Sequence, residues 1–413
     1  MALSGSAMLS YTEARQKVIE IVGAEAAKRT LVHETVEIER AVGRVLSLVV
    51  AADRDYPPFD RSTRDGYAIR AADAAAPGAA LECVGEIRAG GEFKGAIAPG
   101  KCVEIMTGAA VPAGLDAVAM IEHTRREGNR VTFERAAAPG DHIVARGSEA
   151  AAKSVLLRSG ARLGYAELAV AAQVGATRLR VFAKPRVAIL STGDEVVDAR
   201  ATPGPLQVRN SNGITVEAMA RMADAEPVPL GNARDDVQEI RQKVERGLEE
   251  DMLVLSGGVS MGKYDLVEKV LAGLGAKFHF TAVAIRPGRP AVFATCNDKP
   301  VFGLPGNPVS TMVTFELFVL PALDLLAGTN PRPLPILRAR LASTVKEKAG
   351  LAHFLPARIE WAGREPRVTQ LPWQGSGDLV ALATANGFLV IGPEKLEAQA
   401  GEWVDVVPRR GAL

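Results

Sequence analysis

Apolar residues recur along this chain at two different spacings, and the spacing predicts the elements. The segment TEARQKVIEIVGAEAA, from Thr12 to about Ala27, has helical spacing, with Thr12 as the predicted N-cap. A short strand is expected around 36–38, and helical spacing returns between Gly147 and Val174. Between these helical parts, short β-like runs such as LECVGEI and RVTFERA alternate with Gly, Pro and Asn turns. The pattern predicts a small β-rich module inserted into a helical region, which a surface loop tolerates.

Strands and helices then alternate: PRVAILSTG, NGITVEAMARMADA, PVPLGNA, DDVQEIRQKVERGLE, DMLVLSGG and KYDLVEKVLAGL. This alternation predicts a mostly parallel sheet covered by helices on both faces. A long helix, VSTMVTFELFVLPALDLL, closes this region, and Pro331, Pro333 and Pro335 mark a linker to a β-like remainder. The predicted fold class is multidomain α/β. Its segments are 8–50 and 147–183 (helical linker domain), 51–146 (inserted β-rich module), 184–331 (α/β domain) and 332–413 (a β-barrel-like domain).

Composition narrows the class of protein. The 413 residues are 47% hydrophobic and 23% charged, with a net charge of +1, so no global field favours nucleic acid or a membrane surface. The three cysteines show no CxxC spacing, which argues against a disulfide framework or a zinc knuckle. The chain shows no signal-peptide pattern and no run of about 18 uncharged apolar residues. We therefore expect a cytoplasmic protein that binds neither nucleic acid nor membrane.

Two glycine- and hydroxyl-rich loops directly follow predicted strands of the α/β region. Ligands of such sheets bind at the carboxyl ends of the strands, where glycines allow close backbone approach and hydroxyls and amides can cradle an anion. Carboxylates beside the loops suit Mg²⁺, although acidic residues also commonly cap helices. The candidates are Ser191, Thr192, Gly193, Asp194 and Glu195 in the first loop, Gly257, Gly258, Ser260 and Gly262 in the second, and Asp265 after it.

Two further turns carry candidate binding groups. The turn IRPGRP places Arg286 and Arg289 around Pro-Gly, and guanidinium groups held by a rigid turn suit a small anion or a phosphate. The segment GLPGNPVS begins the long helix and supplies Pro305, Gly306 and Asn307. Taken alone, the first could be a solvated turn and the second a helix-entry loop.

Together, these motifs resemble the MoeA family and the gephyrin E domain from about Leu9 to the C-terminus. The resemblance is carried by SGGVSMGKYD, AIRPGRP, GLPGNPVS, STGDE, PPFDRSTRDGYAIRAAD and TGAAVPAGLDAVAMIEHT. It implies a helical linker domain interrupted by a β module, an α/β domain like the MogA-type molybdopterin adenylyltransferases, and a C-terminal β-barrel-like domain. It also implies an elongated homodimer, with a cleft between the α/β domain of one subunit and the β module of the other.

The resemblance implies a reaction that joins molybdate to molybdopterin-AMP, with Mg²⁺, and releases AMP. Asp194, Glu195 and Asp265 would lie at the nucleotide and Mg²⁺ end. The second loop, with Pro305, Gly306 and Asn307, would shape the phosphate pocket, and Arg286 and Arg289 would hold molybdate or the pterin phosphate. Asp65 and Thr107 would reach in from the β module, with Asp65, Glu195 and Asp265 as the catalytic carboxylates. Further candidates are Asp235, Arg358 and Ser376, whereas Tyr67 is expected to be a packed aromatic.

Two departures from the family pattern leave alternatives open. Arg61 and Arg64 stand where the usual motif reads FDNSAMDGYA, and arginines replace the lysines of KPGKP. Since guanidinium is a planar bidentate donor, preference for tungstate over molybdate stays possible. A molybdopterin adenylyltransferase would not need the β module or the last domain, and a non-catalytic scaffold remains a third alternative. An adenylyltransferase and molybdoenzyme-maturation proteins are expected partners.

Overall fold

The computed structural model describes residues 8–258 and 266–411, which divide into two compact units. One, here called the larger unit, comprises Met1–Glu34, Gly43–Ser47 and Arg180–Leu413. The other, the inserted unit, comprises Thr35–Val42 and Leu48–Leu179. The inserted unit thus interrupts the larger unit in sequence. The five predicted segment boundaries stay predictions.

The helices and strands follow in chain order. The helices are α1 (Tyr11–Ala26), α2 (Tyr165–Gln173), α3 (Ser211–Met222), α4 (Val237–Gly247), α5 (Leu266–Gly273), α6 (Pro308–Thr314), α7 (Leu320–Leu326) and α8 (Leu379–Thr384). Up to residue 183 the strands are β1 (His33–Glu37), β2 (Val50–Ala51), β3 (Arg61–Ser62), β4 (Gly66–Ile69), β5 (Ala80–Ile87), β6 (Lys101–Ile105), β7 (Ala117–Met120), β8 (Thr124–Glu127), β9 (Arg130–Phe133), β10 (Ile143–Val144), β11 (Val155–Leu157) and β12 (Arg178–Phe182). Beyond it they are β13 (Arg186–Thr192), β14 (Val196–Val197), β15 (Val208–Arg209), β16 (Glu226–Ala233), β17 (Met252–Ser256), β18 (Lys277–Phe280), β19 (Ile285–Arg286), β20 (Val292–Cys296), β21 (Lys299–Leu304), β22 (Leu337–Leu341), β23 (Val345–Lys346), β24 (Ala352–Ala362), β25 (Glu365–Gln370), β26 (Gly387–Ile391), β27 (Glu397–Ala398) and β28 (Trp403–Pro408).

The inserted unit is built on a six-stranded sheet of order β7-β4-β6-β5-β9-β8. Successive residues of β4 point to opposite faces, so Tyr67 and Ile69 enter one buried cluster and Ala68 enters another. Tyr67 is only 2% exposed and packs edge-to-face against Phe133, with ring centroids 6.2 Å apart. The structure therefore agrees with the interpretation of Tyr67 as a packed aromatic.

The α/β part of the larger unit is a sheet of order β16-β13-β17-β21-β20-β18. The first four strands are parallel. At the other side of the sheet, β20 pairs antiparallel with β21, and β18 pairs antiparallel with β20. Val187 and Ile189 of β13 pack with α3 and the long helix, whereas Ala188 and Leu190 pack with α4 and α5. Both faces are thus covered, which explains why these strands read as continuous apolar runs.

The long predicted helix is a continuous helical segment, in which a π-helical turn at Phe315–Val319 joins α6 to α7. Within the described ranges, Pro308–Leu326 is the one helix long and apolar enough to cross a membrane. However, 83% of that segment is buried inside the protein, as expected of a core helix. Its apolar length is accounted for by packing against the central sheet.

The last region forms a closed five-stranded barrel, in which β24, β25, β22, β28 and β26 pair in turn and β26 returns to β24. Alternate residues such as Leu355, Ala357 and Ile359 face its core. Strand β19 pairs in parallel with β24, aligning Arg286 with His353. The barrel therefore continues from the turn that carries the two candidate arginines.

Three local predictions are corrected. The N-cap of α1 is Ser10 rather than Thr12: Ser10 Oγ accepts from the Glu13 N–H, and the Ser10 N–H donates to the Glu13 carboxylate at 2.8 Å. This reciprocal capping box satisfies two helix-end donors, which Thr12 does not. Between Gly147 and Val174 only Tyr165–Gln173 is α-helical, because Val155 and Leu157 pair with β2 instead. The early strand is His33–Glu37, and a 3₁₀ turn starts at Ile38.

Candidate functional site

Three loops meet at the carboxyl edge of β13, β17 and β21. A Cβ on Gly257 would lie 2.7 Å from the Thr192 carbonyl oxygen, and one on Gly258 would lie 2.7 Å from Thr192 Oγ1. Both glycines also have positive φ, at 90° and 63°. A Cβ on Gly306 would lie 3.6 Å from the Gly257 Cα, which places the third loop beside the second. Glycine is required at 257 because the backbone of the first loop approaches too closely for a side chain, whereas a Cβ on Gly306 would make an ordinary contact.

Amide side chains at the start of α3 tie these loops together, and the sequence analysis missed them. Asn212 Nδ2 donates to Ser256 Oγ and to the Gly306 carbonyl oxygen, both at 2.8 Å. Ser191 Oγ donates to Asn210 Oδ1 at 3.0 Å, and Asn210 also caps α3. The signal was available in RNSNG, a polar run between strand and helix at the sheet edge where ligands bind.

Some polar atoms of this cluster are buried without a partner. Thr192 Oγ1, Asn212 Oδ1 and Asn232 Oδ1 make no hydrogen bond to any residue that the structure describes. Such atoms are expensive to bury unpaired, and a bound ligand or water would satisfy them. Ser260 and Gly262 of the second loop lie outside the described residues.

Three carboxylates lie at the other side of the first loop. Asp194 Oδ1 accepts from the Asp235 backbone N–H at 3.1 Å. Burial raises the pKa of Asp235, and the charges of Asp194 and Glu195 raise it further. Neither of those two residues caps a described helix, since the caps of α3 and α4 are Asn210 and Asp236. The capping alternative is therefore wrong for Asp194 and Glu195.

The chemistry of this carboxylate group suits Mg²⁺, which prefers oxygen ligands, and like charges crowded together favour a cation between them. Among residues 8–258 and 266–411, however, no three acidic, histidine or cysteine side chains are arranged to hold a metal ion. Asp265, the third expected ligand, lies outside the described residues. The described carboxylates fit part of a magnesium site.

A cleft of about 490 Å³ opens in the same unit. The IRPGRP turn contributes Arg286 and Arg289 to its lining, the start of α6 contributes Pro305 and Asn307, and the barrel contributes Ser376. Gly288 is needed in the turn because a Cβ there would lie 2.8 Å from Thr314 Cγ2, and its φ is 109°. Both arginines line this one concave surface, and both side chains are solvent-exposed.

The segment 373–377 completes the cleft, and the sequence analysis had selected only its serine. Trp373 and Gln374 also line the cleft, and the Ser376 carbonyl oxygen accepts from the Val309 N–H at 3.0 Å. By contrast, Arg358 is not among the described lining residues. Its Nε lies 3.0 Å from Glu360 Oε1 in an exposed ion pair on β24, so the structure does not bring it to the other candidates.

In the inserted unit, Asp65 and Thr107 meet directly. Asp65 Oδ1 accepts from the Thr107 N–H and from Thr107 Oγ1, each at 2.7 Å. These two hydrogen bonds, the backbone one first, lower the pKa of Asp65. A Cβ on Gly66 would lie 1.9 Å from the Ala119 carbonyl oxygen, so the residue after Asp65 must be glycine. The side chain of Asp65 is thereby fixed as an exposed carboxylate.

One of the two added arginines of this unit has a partner. Arg61 Nη2 donates to Glu149 Oε1 at 3.1 Å. Arg61 is therefore paired with an acid of the same unit.

Three family models match most of the chain. Residues 9–175 match the MoeA N-terminal region (domain I and II), 188–325 match a family described as a probable molybdopterin binding domain, and 338–408 match the MoeA C-terminal region (domain IV).

Full-length relatives are similar as well. A protein of Nostoc sp. named molybdopterin molybdenumtransferase is 38% identical over 376 residues, which cover 87% of this chain and 84% of the relative. A protein of the same name from Bacillus subtilis is 34% identical over 384 residues, covering 91% and 89%. The crystal structure of a molybdopterin biosynthesis MoeA protein from Pyrococcus horikoshii superposes with a TM-score of 0.80 at 28% identity, covering 98% of this chain and 100% of the other. Since the similarity spans nearly the whole chain, the protein belongs to the MoeA family.

Proposed function

We propose that this chain is a molybdopterin molybdenumtransferase that inserts molybdate into molybdopterin-AMP and releases AMP, the last step of molybdenum cofactor synthesis. The family and the printed name of the relatives support molybdenum transfer to molybdopterin. One observation carries the finer proposal. The segment 305–307 belongs to both candidate sites, because Gly306 contacts the glycine loop while Pro305 and Asn307 line the arginine cleft.

A phosphate-binding edge and an oxyanion cleft that share one loop suit a reaction between two anions. Molybdate is a dianion, and guanidinium groups bind such oxyanions through several directed N–H donors. In this proposal Arg286 and Arg289 hold molybdate. The glycine loops and the unpartnered atoms of Thr192 and Asn212 receive the phosphates and ribose of the nucleotide.

Asp194 and Glu195 would hold Mg²⁺ together with Asp265, and the nearby charge of Asp235 adds to the attraction for a cation there. A bound Mg²⁺ would neutralise charge on the phosphoryl oxygens. The first loop carries Asp194 and Glu195. The second loop is held against it by the close approach of Gly257 to Thr192. Asp65 supplies an ionised carboxylate as a hydrogen-bond acceptor, because the hydrogen bonds that it receives from Thr107 favour its charged form.

The remaining expectations are also proposals. A homodimer, a cytoplasmic location and cooperation with an adenylyltransferase and with molybdoenzyme-maturation proteins are inferred from the family resemblance. Light scattering on the purified protein measures the first directly, and a monomeric mass at micromolar concentration would contradict it.

The test is AMP release from molybdopterin-AMP with Mg²⁺, with and without molybdate and with tungstate in parallel. We expect release that depends on molybdate. Release that is faster with tungstate would favour the tungstate alternative, which the two arginines of the cleft motivate. Tight binding of molybdopterin-AMP without release under any condition would support a scaffold instead.

A matched pair of variants assigns the cleft. Arg289→Ala is expected to raise the molybdate KM by about tenfold or more, since charge-assisted hydrogen bonds contribute roughly 1.5–3 kcal/mol. Arg358→Ala removes an exposed arginine of the same unit that does not line the cleft, and it should leave the KM unchanged. Equal KM values for the two variants would contradict the assignment of the cleft.

A further inference from the structure

Glu347 stands directly behind the arginine cleft, in the turn between β23 and β24. Its Oε2 lies 3.9 Å from Arg286 Nη1, and its side chain is 16% exposed, whereas that of Arg286 is 55% exposed. Although Arg286 lines the cleft, Glu347 is not among the described lining residues. The carboxylate thus contacts the guanidinium from the protein side and leaves its other side open to the cleft.

The separation matters for what Arg286 can bind. At 3.9 Å the two groups attract each other, yet the distance is beyond hydrogen-bond range, so no guanidinium N–H is occupied by Glu347. A hydrogen-bonded pair would instead use donors that an oxyanion needs. The contact therefore orients the guanidinium while its directed donors remain available to a ligand.

Glu347 is itself held in place. The buried His353, 1% exposed, places Nδ1 3.1 Å from the same Glu347 oxygen. His353 Nε2 lies within hydrogen-bond distance of the Lys348 carbonyl oxygen, at 2.9 Å. Nδ1 makes no hydrogen bond to any described residue, and its contact with Glu347 lacks hydrogen-bond geometry. The buried imidazole therefore packs against the carboxylate on its protein side, and the backbone of His353 is fixed because it pairs with Arg286 across β19 and β24.

We propose that Glu347 is a positioning residue for oxyanion binding. It acts through Arg286, and His353 packs against its carboxylate. This inference rests on the proposed function, in which the cleft takes molybdate. It assigns Glu347 no contact with the substrate. A carboxylate near an anion site would by charge alone weaken anion binding, so the positioning role and simple electrostatics predict opposite effects of its removal.

The experiment measures KM for molybdate and kcat of AMP release in the full-length protein. Glu347→Gln keeps the shape and removes the charge, and it is expected to raise the KM about fivefold, the upper end for such a pair, with kcat within twofold. Glu347→Asp keeps the charge on a shorter side chain and should show a smaller rise. In an Arg286→Ala background, Glu347→Gln should have no further effect.

The matched control is Glu360→Gln, which removes the acid of the exposed Arg358–Glu360 pair in the same unit and should leave both constants unchanged. An unchanged or lower KM in Glu347→Gln, with a raised KM in Arg286→Ala, overturns the role of Glu347 alone. KM increases that multiply in the Arg286→Ala, Glu347→Gln double variant also overturn the role of Glu347. A general structural defect gives such independent effects, whereas a residue that acts through Arg286 does not. An unchanged KM in Arg286→Ala overturns the assignment of the cleft and this inference with it.

Discussion

At the scale of single residues, Asp235, which follows β16, is a carboxylate whose charge is opposed by its surroundings in the folded protein. Burial and the charges of Asp194 and Glu195 raise the pKa of Asp235 above its ordinary value. A carboxyl group whose pKa is raised on folding contributes stability that is fully present below its unfolded pKa. That contribution is lost as pH rises through the folded pKa. Ionisation of Asp235 therefore opposes folding, and perturbed carboxyl groups of this kind are common at functional sites.

We predict that Asp235→Asn raises the melting temperature at pH 7.5 in the absence of Mg²⁺, because it removes the cost of burying a charge and the repulsion from Asp194 and Glu195. The gain should shrink at pH 4, where the native carboxyl group is already partly protonated. The same variant should need more Mg²⁺ for half-maximal AMP release. Asp198→Asn, an exposed carboxylate of the same unit, serves as control. A lower melting temperature for Asp235→Asn at pH 7.5 would contradict the prediction.

Asp65 shows the opposite shift. Its pKa is lowered by the Thr107 N–H and hydroxyl, so its stabilising contribution is present above the unfolded pKa and is lost as pH falls through the folded one. Thr107→Val removes the hydroxyl and keeps the N–H. We expect the acid limb of the pH–rate profile to move to higher pH, since less Asp65 stays ionised. Thr63→Val removes a hydroxyl that donates to the His142 carbonyl oxygen and should not move it. An unshifted limb in Thr107→Val would show that the ionisation of Asp65 does not limit the rate.

At the scale of elements, β4 depends on close backbone packing at its first residue. Gly66 pairs with Ile105 on one side and Met120 on the other, so it is central in the sheet of the inserted unit. Its Cα faces the Ala119 carbonyl oxygen, and backbone atoms of a central sheet cannot shift cheaply.

Gly66→Ala is therefore predicted to destabilise the protein by about 3 kcal/mol, the upper end for overpacking. Gly78→Ala is the matched control: its φ is 89°, and an added Cβ would meet nothing within 4 Å. It should lose only about 1 kcal/mol, from the unfavourable φ. Urea unfolding followed by circular dichroism compares the two, and equal losses would refute the steric argument.

At the scale of the whole molecule, the inserted unit has the features of an independently folding domain. Two buried clusters, one on each face of its sheet, lie entirely within it. Its main segment, Leu48–Leu179, has about 130 residues, a common domain size.

We expect a fragment comprising 48–179 to fold by itself. Far-ultraviolet circular dichroism should show β structure, and thermal unfolding should be cooperative. A fragment that remains disordered in this assay would indicate that the unit depends on the rest of the chain.

The sequence by itself determined the element types of the central region and the kind of chemistry. Strands such as β13 and helices such as α4 were predictable because local periodicity indicates which face is buried. Gly257 and Gly258 were predictable as site residues because a loop that approaches another backbone closely requires glycine. The motifs around Asp65, Arg286 and Asn307 were sufficient to place the chain in its family.

Only the tertiary structure decided which residues share a site. Asn212 bridges Ser256 and Gly306, and Glu347 stands behind Arg286, through contacts between segments that are far apart in the chain. Arg358 was a comparable candidate by residue type, yet its place on β24 pairs it with Glu360 instead. Local spacing fixes the direction of a side chain within its own element, whereas the partner that it meets depends on how distant elements pack, and no local pattern records that.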